Sequence, residues 1–362
     1  MLIQSLELNN FRNYENLSLK LNEGVNIFYG NNAQGKTNIL DAVYVGCTSK
    51  SHKLSKDKEM IRFDSNEAHI RINLLKKEVP YRIDMHLKKN SSKGIAVNGV
   101  PIRRSSELFG IANVVIFSPE DLNIIKEGPS ERRRFLNMEL CQLNKLYVYD
   151  LISYTKLINQ KNKLLKEYEF TKNAEDFIDI YNEQLVKYGS ELIEIRKKFI
   201  SELNELVREI HKDITDGLED ICINYQCNTD TEHFQSELKR CKAQEIHNRV
   251  SIVGPHRDDI QFVVNGIDLR NYGSQGQHRT AVLSLKLAEI SIVEKITGER
   301  PLLLLDDVLS ELDRKRQTQM LNSIREGQTL ITCTGLDDFI DNRFHIDKVF
   351  YVSDGSVTER TE

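Results

Sequence analysis

A lysine and a threonine at the end of a glycine-framed loop carry the first chemistry legible in this chain. Gly30-Asn31-Asn32-Ala33-Gln34-Gly35-Lys36-Thr37 follows the phosphate-loop pattern G-x-x-x-x-G-K-[ST]. The apolar run Val25-Asn26-Ile27-Phe28-Tyr29 precedes it and a helical pattern, Asn38 to Tyr44, follows. That strand–loop–helix context lets backbone N–H groups and a helix N-terminus converge on phosphate oxygens. Lys36 is expected to reach the β- and γ-phosphates, and Thr37 to ligate Mg²⁺. ATP and Mg²⁺ are therefore the expected ligands.

Two further segments complete the chemistry. Leu302-Leu303-Leu304-Leu305-Asp306-Asp307 reads as a buried parallel strand ending in two acids. Asp306 can sit beside the Mg²⁺ held by Thr37, and Asp307 can polarise an attacking water. Ser274-Gln275-Gly276-Gln277-His278-Arg279 precedes a helical stretch, 281–294, and begins about 30 residues before those acids. A serine hydroxyl and backbone amides at a helix start make an anion site. Ser310-Glu311-Leu312-Asp313 follows the acidic pair.

These groups lie near opposite ends of the chain, so elements from both ends must meet. Residues 2–8, 17–21, 25–28, 69–74 and 81–85 read as short strands, and Asn98-Gly99 as a hairpin turn. Leu136, Leu140, Leu143, Tyr147, Leu151, Tyr154 and Ile158 step by three or four, a helical period. So do Leu185, Leu192, Ile195, Phe199, Leu203, Leu206, Ile210 and Ile214, with one gap at Gly189. Pro129 before Ser130-Glu131 marks a helix start. The spacing predicts a helical arm of about 120 residues inserted into an α/β part. Strand-like runs return at 302–306, 329–334 and 349–352.

Composition narrows the class. The 362 residues carry a formal charge of −4, so overall charge predicts no polyanion partner. Local basic clusters stand at Lys50–Lys58, Lys88–Lys93, Arg103-Arg104 and Arg132-Arg133-Arg134. Each alone reads as a solvated face. The six cysteines form no C-x-x-C pair, which suits reduced thiols in a cytoplasmic protein. No signal peptide or membrane-spanning run is legible, so a soluble protein without a membrane partner is expected.

Taken together, Phe11-Arg12-Asn13-Tyr14, Gly30–Thr37, Phe117–Leu122, Ser130–Leu136, Gly254-Pro255-His256-Arg257-Asp258-Asp259, Ser274–Arg279 and Asp306–Asp313 resemble the RecF family of bacterial DNA replication, recombination and repair proteins. The resemblance implies an α/β ABC-type P-loop ATPase head, a mixed sheet with an antiparallel β subdomain, and an inserted helical arm domain. Residues 1–127 and 248–362 would form the head and 128–247 the arm. It implies dimerisation on ATP binding and attachment to DNA at single-stranded/double-stranded gaps. Slow DNA-stimulated hydrolysis and help in loading the recombinase RecA, with RecR and RecO as partners, are implied too. Ser274, Gln275, Gly276 and Gln277 would be the signature that serves the second subunit's nucleotide, and 310–313 the D-loop. Arg12 has two readings, a strand-end surface charge or a phosphate contact, and the resemblance favours the second. Lys53, Lys56 and Arg103 are the expected DNA contacts.

The chain departs from the family's pattern at Leu136-Asn137, where leucine-aspartate is usual, and at Lys53, where arginine is usual. A lysine keeps the charge but loses bidentate phosphate recognition. The second acid is Asp307 rather than the glutamate of transporters, which suits a switch more than a fast motor. Thr332 and Thr334 stand where transporters carry a switch histidine. His256 and Arg257 could support the core or line the site. Two other functions share the motifs: the energising subunit of a membrane transporter, and a nucleotide-binding interaction protein without turnover. The helical insert and the missing switch histidine count against the first.

Overall fold

The computed structural model describes residues 1–360 apart from 54, 55, 325, 337, 338 and 340–343; the side chain of Glu311 also lies outside the described residues. In chain order the strands are β1 (Leu2–Phe11), β2 (Tyr14–Lys20), β3 (Val25–Tyr29), β4 (Glu67–Lys76), β5 (Val79–Lys88), β6 (Gly94–Val97), β7 (Val100–Pro101), β8 (Val114–Phe117), β9 (Ile221–Gln226), β10 (Asp259–Val264), β11 (Ile267–Asp268), β12 (Leu302–Asp306), β13 (Thr329–Cys333), β14 (Lys348–Ser353) and β15 (Ser356–Arg360). The α-helices are α1 (Lys36–Thr48), α2 (Asn123–Lys126), α3 (Pro129–Leu143), α4 (Lys145–Lys166), α5 (Ala174–Ile214), α6 (Phe234–Asn248), α7 (Leu269–Tyr272), α8 (Gln275–Thr297) and α9 (Arg314–Ser323).

Two compact units divide the chain, one of residues 1–121 with 282–362 and one of 122–281. The sequence placed the boundaries at 127/128 and 247/248. The second boundary shifts because β10 pairs antiparallel with β9, from Asp259↔Gln226 to Val264↔Ile221. A small β11-β10-β9 sheet therefore belongs with the helices, and periodicity had given no sign of β9.

The first unit holds two sheets. One has the order β15-β14-β3-β13-β12-β8, in which β14, β3, β13, β12 and β8 run parallel. Buried on both faces, such strands need continuous apolar runs, and Leu302, Leu303, Leu304 and Leu305 are all at 0% exposure. The other sheet is antiparallel, in the order β2-β1-β4-β5-β6-β7. Its strands alternate: Ala68, Ile70, Ile72 and Leu74 of β4 are buried and the residues between them face outward. Asn98 and Gly99 both take positive φ, 52° and 82°, the turn that matches strand twist in a two-residue hairpin.

In the second unit the first helical pattern divides at Asn144, whose side chain accepts hydrogen bonds from the Leu146 and Tyr147 amides and so starts α4. The second pattern is the 41-residue α5, about 60 Å long, with Leu185, Leu192, Phe199, Leu203 and Val207 buried along one stripe. Gly189 breaks the leucine series for a packing reason: a side chain there would strike the rings of Phe234 and Tyr154.

A buried polar network crosses this unit. Arg196, 2% exposed, donates to Tyr147 Oη (2.9 Å), Pro255 O (2.7 Å), Asp258 Oδ2 (2.9 Å) and Asn137 Oδ1 (2.9 Å). Tyr225 also bonds Asp258. Arg132 grips Asp259 at 2.6 and 3.0 Å, and Arg133 donates to Asp258 O at 2.7 Å. Two members of the triple-arginine cluster are thus internal ties. His256 accepts from or donates to Tyr154 Oη at Nδ1 (2.8 Å) and donates from Nε2 to Ser251 O (3.2 Å). Burial pushes its pKa down to about 4, so the ring is neutral and Nδ1 is the acceptor. Arg257 also donates to Ser251 O, at 2.6 Å. His256 thus packs as a neutral ring within the unit, while Arg257, exposed, ties to the same carbonyl from outside. Arg196→Met leaves Asp258 buried without its cation and is expected to lower unfolding free energy by about 3–5 kcal/mol. Denaturant melts monitored on the helical signal measure this; a loss under about 1 kcal/mol would mean the network is no brace.

Candidate nucleotide site

The site forms at the C-terminal ends of the parallel strands, where open α/β sheets bind ligands. Because β13 lies between β3 and β12, its last residues stand between the phosphate loop and the acidic pair. Register puts Thr332 opposite both Phe28 and Asp306. One carboxylate oxygen then joins the two motifs. Asp306 Oδ1 accepts from Thr37 Oγ1 at 2.6 Å and from Thr332 Oγ1 at 2.9 Å. The Asp307 amide donates to Thr332 Oγ1 (3.1 Å) and to its carbonyl (3.2 Å). Asp307 sits at φ 54°, a left-handed conformation uncommon for a residue with a side chain.

The loop itself is tightly framed. Lys36 Nζ donates to Gly30 O (2.6 Å) and Asn31 O (2.7 Å), while Asn31, Asn32 and Ala33 form an exposed crest. A Cβ at Gly30, at φ 151°, would collide with Val352 O. Ala33 and Gly35 take φ values of 67° and 111°, which bends successive amides into a concave nest suited to an anion. The Arg12-Asn13 turn braces the loop from outside: Asn13 Nδ2 donates to Gln34 O (3.0 Å) and Tyr14 Oη to Gly35 O (3.1 Å). Gln34 Oε1 accepts from the Asp354 amide at 2.6 Å.

Charge is arranged around this frame. Arg12 bonds Asp41 of α1, and among the described residues its buried Nε has no hydrogen-bond partner, which leaves a donor for an anion. Asp41 also accepts from Ser51 Oγ (2.9 Å) and the His52 amide (3.1 Å). Lys53, expected at DNA, instead places Nζ 2.9 Å from Asp306 Oδ2 and 3.1 Å from Glu120 Oε1. Burial opposes that ammonium, but Asp306 and Glu120 outweigh it and raise its pKa. Burial also lowers the Lys36 pKa, against the pull of Asp307 and Asp306. Asp307 is raised, first by burial and then by Asp306, with Lys36 opposing. Lys56 and Arg103 are exposed.

The donor set fits the expected ligands. A hydroxyl and a carboxylate sharing one position are hard oxygen ligands of the kind Mg²⁺ takes together with phosphate. The nest, Lys36 and the free Arg12 Nε suit the phosphates. Sequence reasoning passed over Asp41, Thr332 as a bridge, and Glu120 as a partner of Lys53. The signal for Glu120 was the run Val114-Val115-Ile116-Phe117, a fully buried strand just before it.

The signature segment lies in the second unit. Ser274 Oγ accepts from the Gln277 amide (3.2 Å) and Gln277 Oε1 accepts from the Ser274 amide (3.0 Å), a capping box at the start of α8. The Ser274 hydroxyl proton is not spent by this pair. Of the 310–313 segment, Ser310 Oγ donates to Asp307 O at 2.8 Å, and Asp313 caps α9 through the Arg316 amide.

The parallel sheet, its phosphate loop, the shared Asp306 and the antiparallel sheet together define an ABC-type ATPase head. Residues 5–245 match the AAA domain family. The "DNA replication and repair protein RecF" of Lachnoclostridium phytofermentans is 56% identical over 99% of each chain. That of Clostridium acetobutylicum is 47% identical over 99% of this chain and all of its own. The chain belongs to the RecF family. A solved structure of the recombination mediator RecF with ATP in the RecFOR pathway superposes with a TM-score of 0.93 at 35% identity, covering 99% of this chain and 98% of that one. An Smc head domain from Pyrococcus furiosus shares the fold, with a TM-score of 0.58 at 16% identity, over 99% and 96% of the two chains.

Because Thr332 aligns both acids, Thr332→Val is expected to bind ATP normally yet hydrolyse it about ten- to a hundredfold more slowly, the loss of about one charged hydrogen bond. Phosphate release under saturating ATP reads this, and wild-type turnover would rule the bridge out.

Proposed function

We propose that this chain binds ATP with Mg²⁺ at the phosphate loop and hydrolyses it slowly, as a switch for DNA attachment in repair and replication. The observation that carries the reading is the Asp306 carboxylate shared by Thr37 and Thr332. Bound there, Mg²⁺ would neutralise phosphate charge as it develops. Lys36 swings from the loop carbonyls to the phosphates, Arg12 offers Nε, and Asp307 accepts a proton from the attacking water. Its short side chain suits slow turnover. Lys36→Ala is expected to abolish ATP binding while the fold persists, since the side chain bonds only loop carbonyls. Equilibrium dialysis with labelled ATP, beside a melting curve, tests it; retained affinity would overturn the reading.

DNA enters by kinship: the relatives are DNA replication and repair proteins, and the solved relative belongs to the RecFOR pathway. By the same resemblance Ser274–Gln277 serves the γ-phosphate on a second copy, so ATP favours a dimer. DNA stimulates hydrolysis, RecR and RecO are partners, gapped DNA is the target, and recombinase loading is the outcome, all in the cytoplasm. Lys53, Lys56 and Arg103, all exposed, remain the proposed DNA contacts, and the ion pairs of Lys53 with Asp306 and Glu120 would couple that contact to the nucleotide site. A transporter role loses its support with membership of this family, and no helix among the described residues is long and apolar enough to cross a membrane.

A base must be ionised to accept a proton, and Asp307 has a raised pKa. Turnover should therefore fall as pH drops through a value above the ordinary carboxylate range, near 4, and be steady above it. Asp307→Asn should lower the plateau about a hundredfold or more and abolish that acid limb. An unchanged pH–rate profile in this variant would remove Asp307 from the chemistry.

A further inference from the structure

The antiparallel sheet of the first unit carries a side-chain cluster that the nucleotide chemistry does not use. One face of β4 is apolar: Ile70 and Ile72 lie against Gly46 of α1. The opposite face bears Glu67 and His69, two residues apart and so pointing the same way. Across the strand pair His69 stands in register with His86 of β5. Their rings stack with centroids 4.0 Å apart, and Glu67 Oε2 is 2.9 Å from His86 Nε2. Donor atoms of all three residues lie within 4.8 Å of one another.

An ordinary surface ion pair accounts for Glu67 and His86 but leaves His69 over. No hydrogen bond engages the His69 ring among the described residues, though it is packed face to face against a second imidazole. A shared cation explains all three at once. We propose that Glu67, His69 and His86 form a site for a divalent transition ion, best matched to Zn²⁺. Two imidazole nitrogens and a carboxylate oxygen are borderline ligands, poor for Mg²⁺ and good for zinc. Zinc–ligand bonds of about 2.0–2.2 Å require the three donors to close by roughly an ångström. The side chains of Glu67 and His69 are exposed and His86 half-exposed, so rotamer changes suffice. Gly94, in register beside His86, has open space where a side chain would stand. The neighbouring groove, about 770 Å³, is lined by Asn9, Arg71 and both histidines. A fourth ligand, water or a group from outside, reaches the ion from there. Lys88, opposite Glu67 in register, weighs against tight binding, so the expected affinity is micromolar.

The test uses the full chain, stripped of metal, titrated with Co²⁺ as a spectroscopic probe and then with Zn²⁺ in competition. One equivalent of Co²⁺ should bind with weak nitrogen/oxygen-type visible bands and no sulfur charge transfer, and Zn²⁺ should displace it. His69→Ala and His86→Ala should each weaken binding by about tenfold or more, Glu67→Gln by less. Mg²⁺-dependent ATP hydrolysis and the melting curve should not change, since these side chains touch neither the phosphate loop nor the core. A sulfur charge-transfer band, unchanged affinity in the double histidine variant, or no binding at millimolar metal overturns the proposal.

Discussion

Asp306 is where the first unit is tied together. Its carboxylate ends a strand of leucines that water never reaches, and each of its oxygens is claimed. Thr37 and Thr332 share one, and Lys53 takes the other. A carboxylate at a buried strand end is tolerable only with such partners. Because those partners come from three separate segments, the requirement fixes strand order as well as side-chain position. The phosphate loop can present Thr37 to Asp306 only if β13 lies between their strands with Thr332 at the matching height. The left-handed Asp307 follows from the same arrangement, since its amide turns back to Thr332.

Lys53 is the least expected participant. An ammonium 2.9 Å from Asp306 Oδ2 neutralises the carboxylate oxygen that the two threonines leave free, and Glu120 holds it there. Where the family favours arginine, a compact ammonium is a closer mimic of a bare cation than a planar guanidinium. The second unit manages buried charge differently. Arg196, Arg132 and the aspartates at 258 and 259 neutralise each other inside the fold, and Asn137 serves the guanidinium as a neutral acceptor.

Much of this was legible in advance because the chemistry needs contiguous residues. The loop 30–37, the four leucines before Asp306 and the 185–214 stripe each carry their own local signal. The polar bridges were not legible: nothing near Thr332 says that it faces Asp306, since strand adjacency is a long-range choice. Lys53 stood out in the sequence only as a basic residue expected at DNA, and the fold is what brings it beside Asp306 and Glu120. β9 was missed because Ile221 to Gln226 is short and follows a long helix, and its pairing partner lies beyond another helix. The break at Asn144 was hidden by leucines that kept the helical period across it, although asparagine is a favoured cap. The role of Gly254–Asp259 stayed open because a buried arginine network and a lined site use the same residue types.

One feature of the parallel sheet governs how the chain can be made. β3 belongs near the beginning, yet both of its neighbours, β13 and β14, arrive about 300 residues later. At about 5–20 residues per second of synthesis, the wait is on the order of 15–60 s. During that interval the antiparallel strands can pair among themselves, while Val25–Tyr29 has two bare edges and no place to dock. A nascent chain shorter than about 350 residues therefore has a phosphate loop in sequence only.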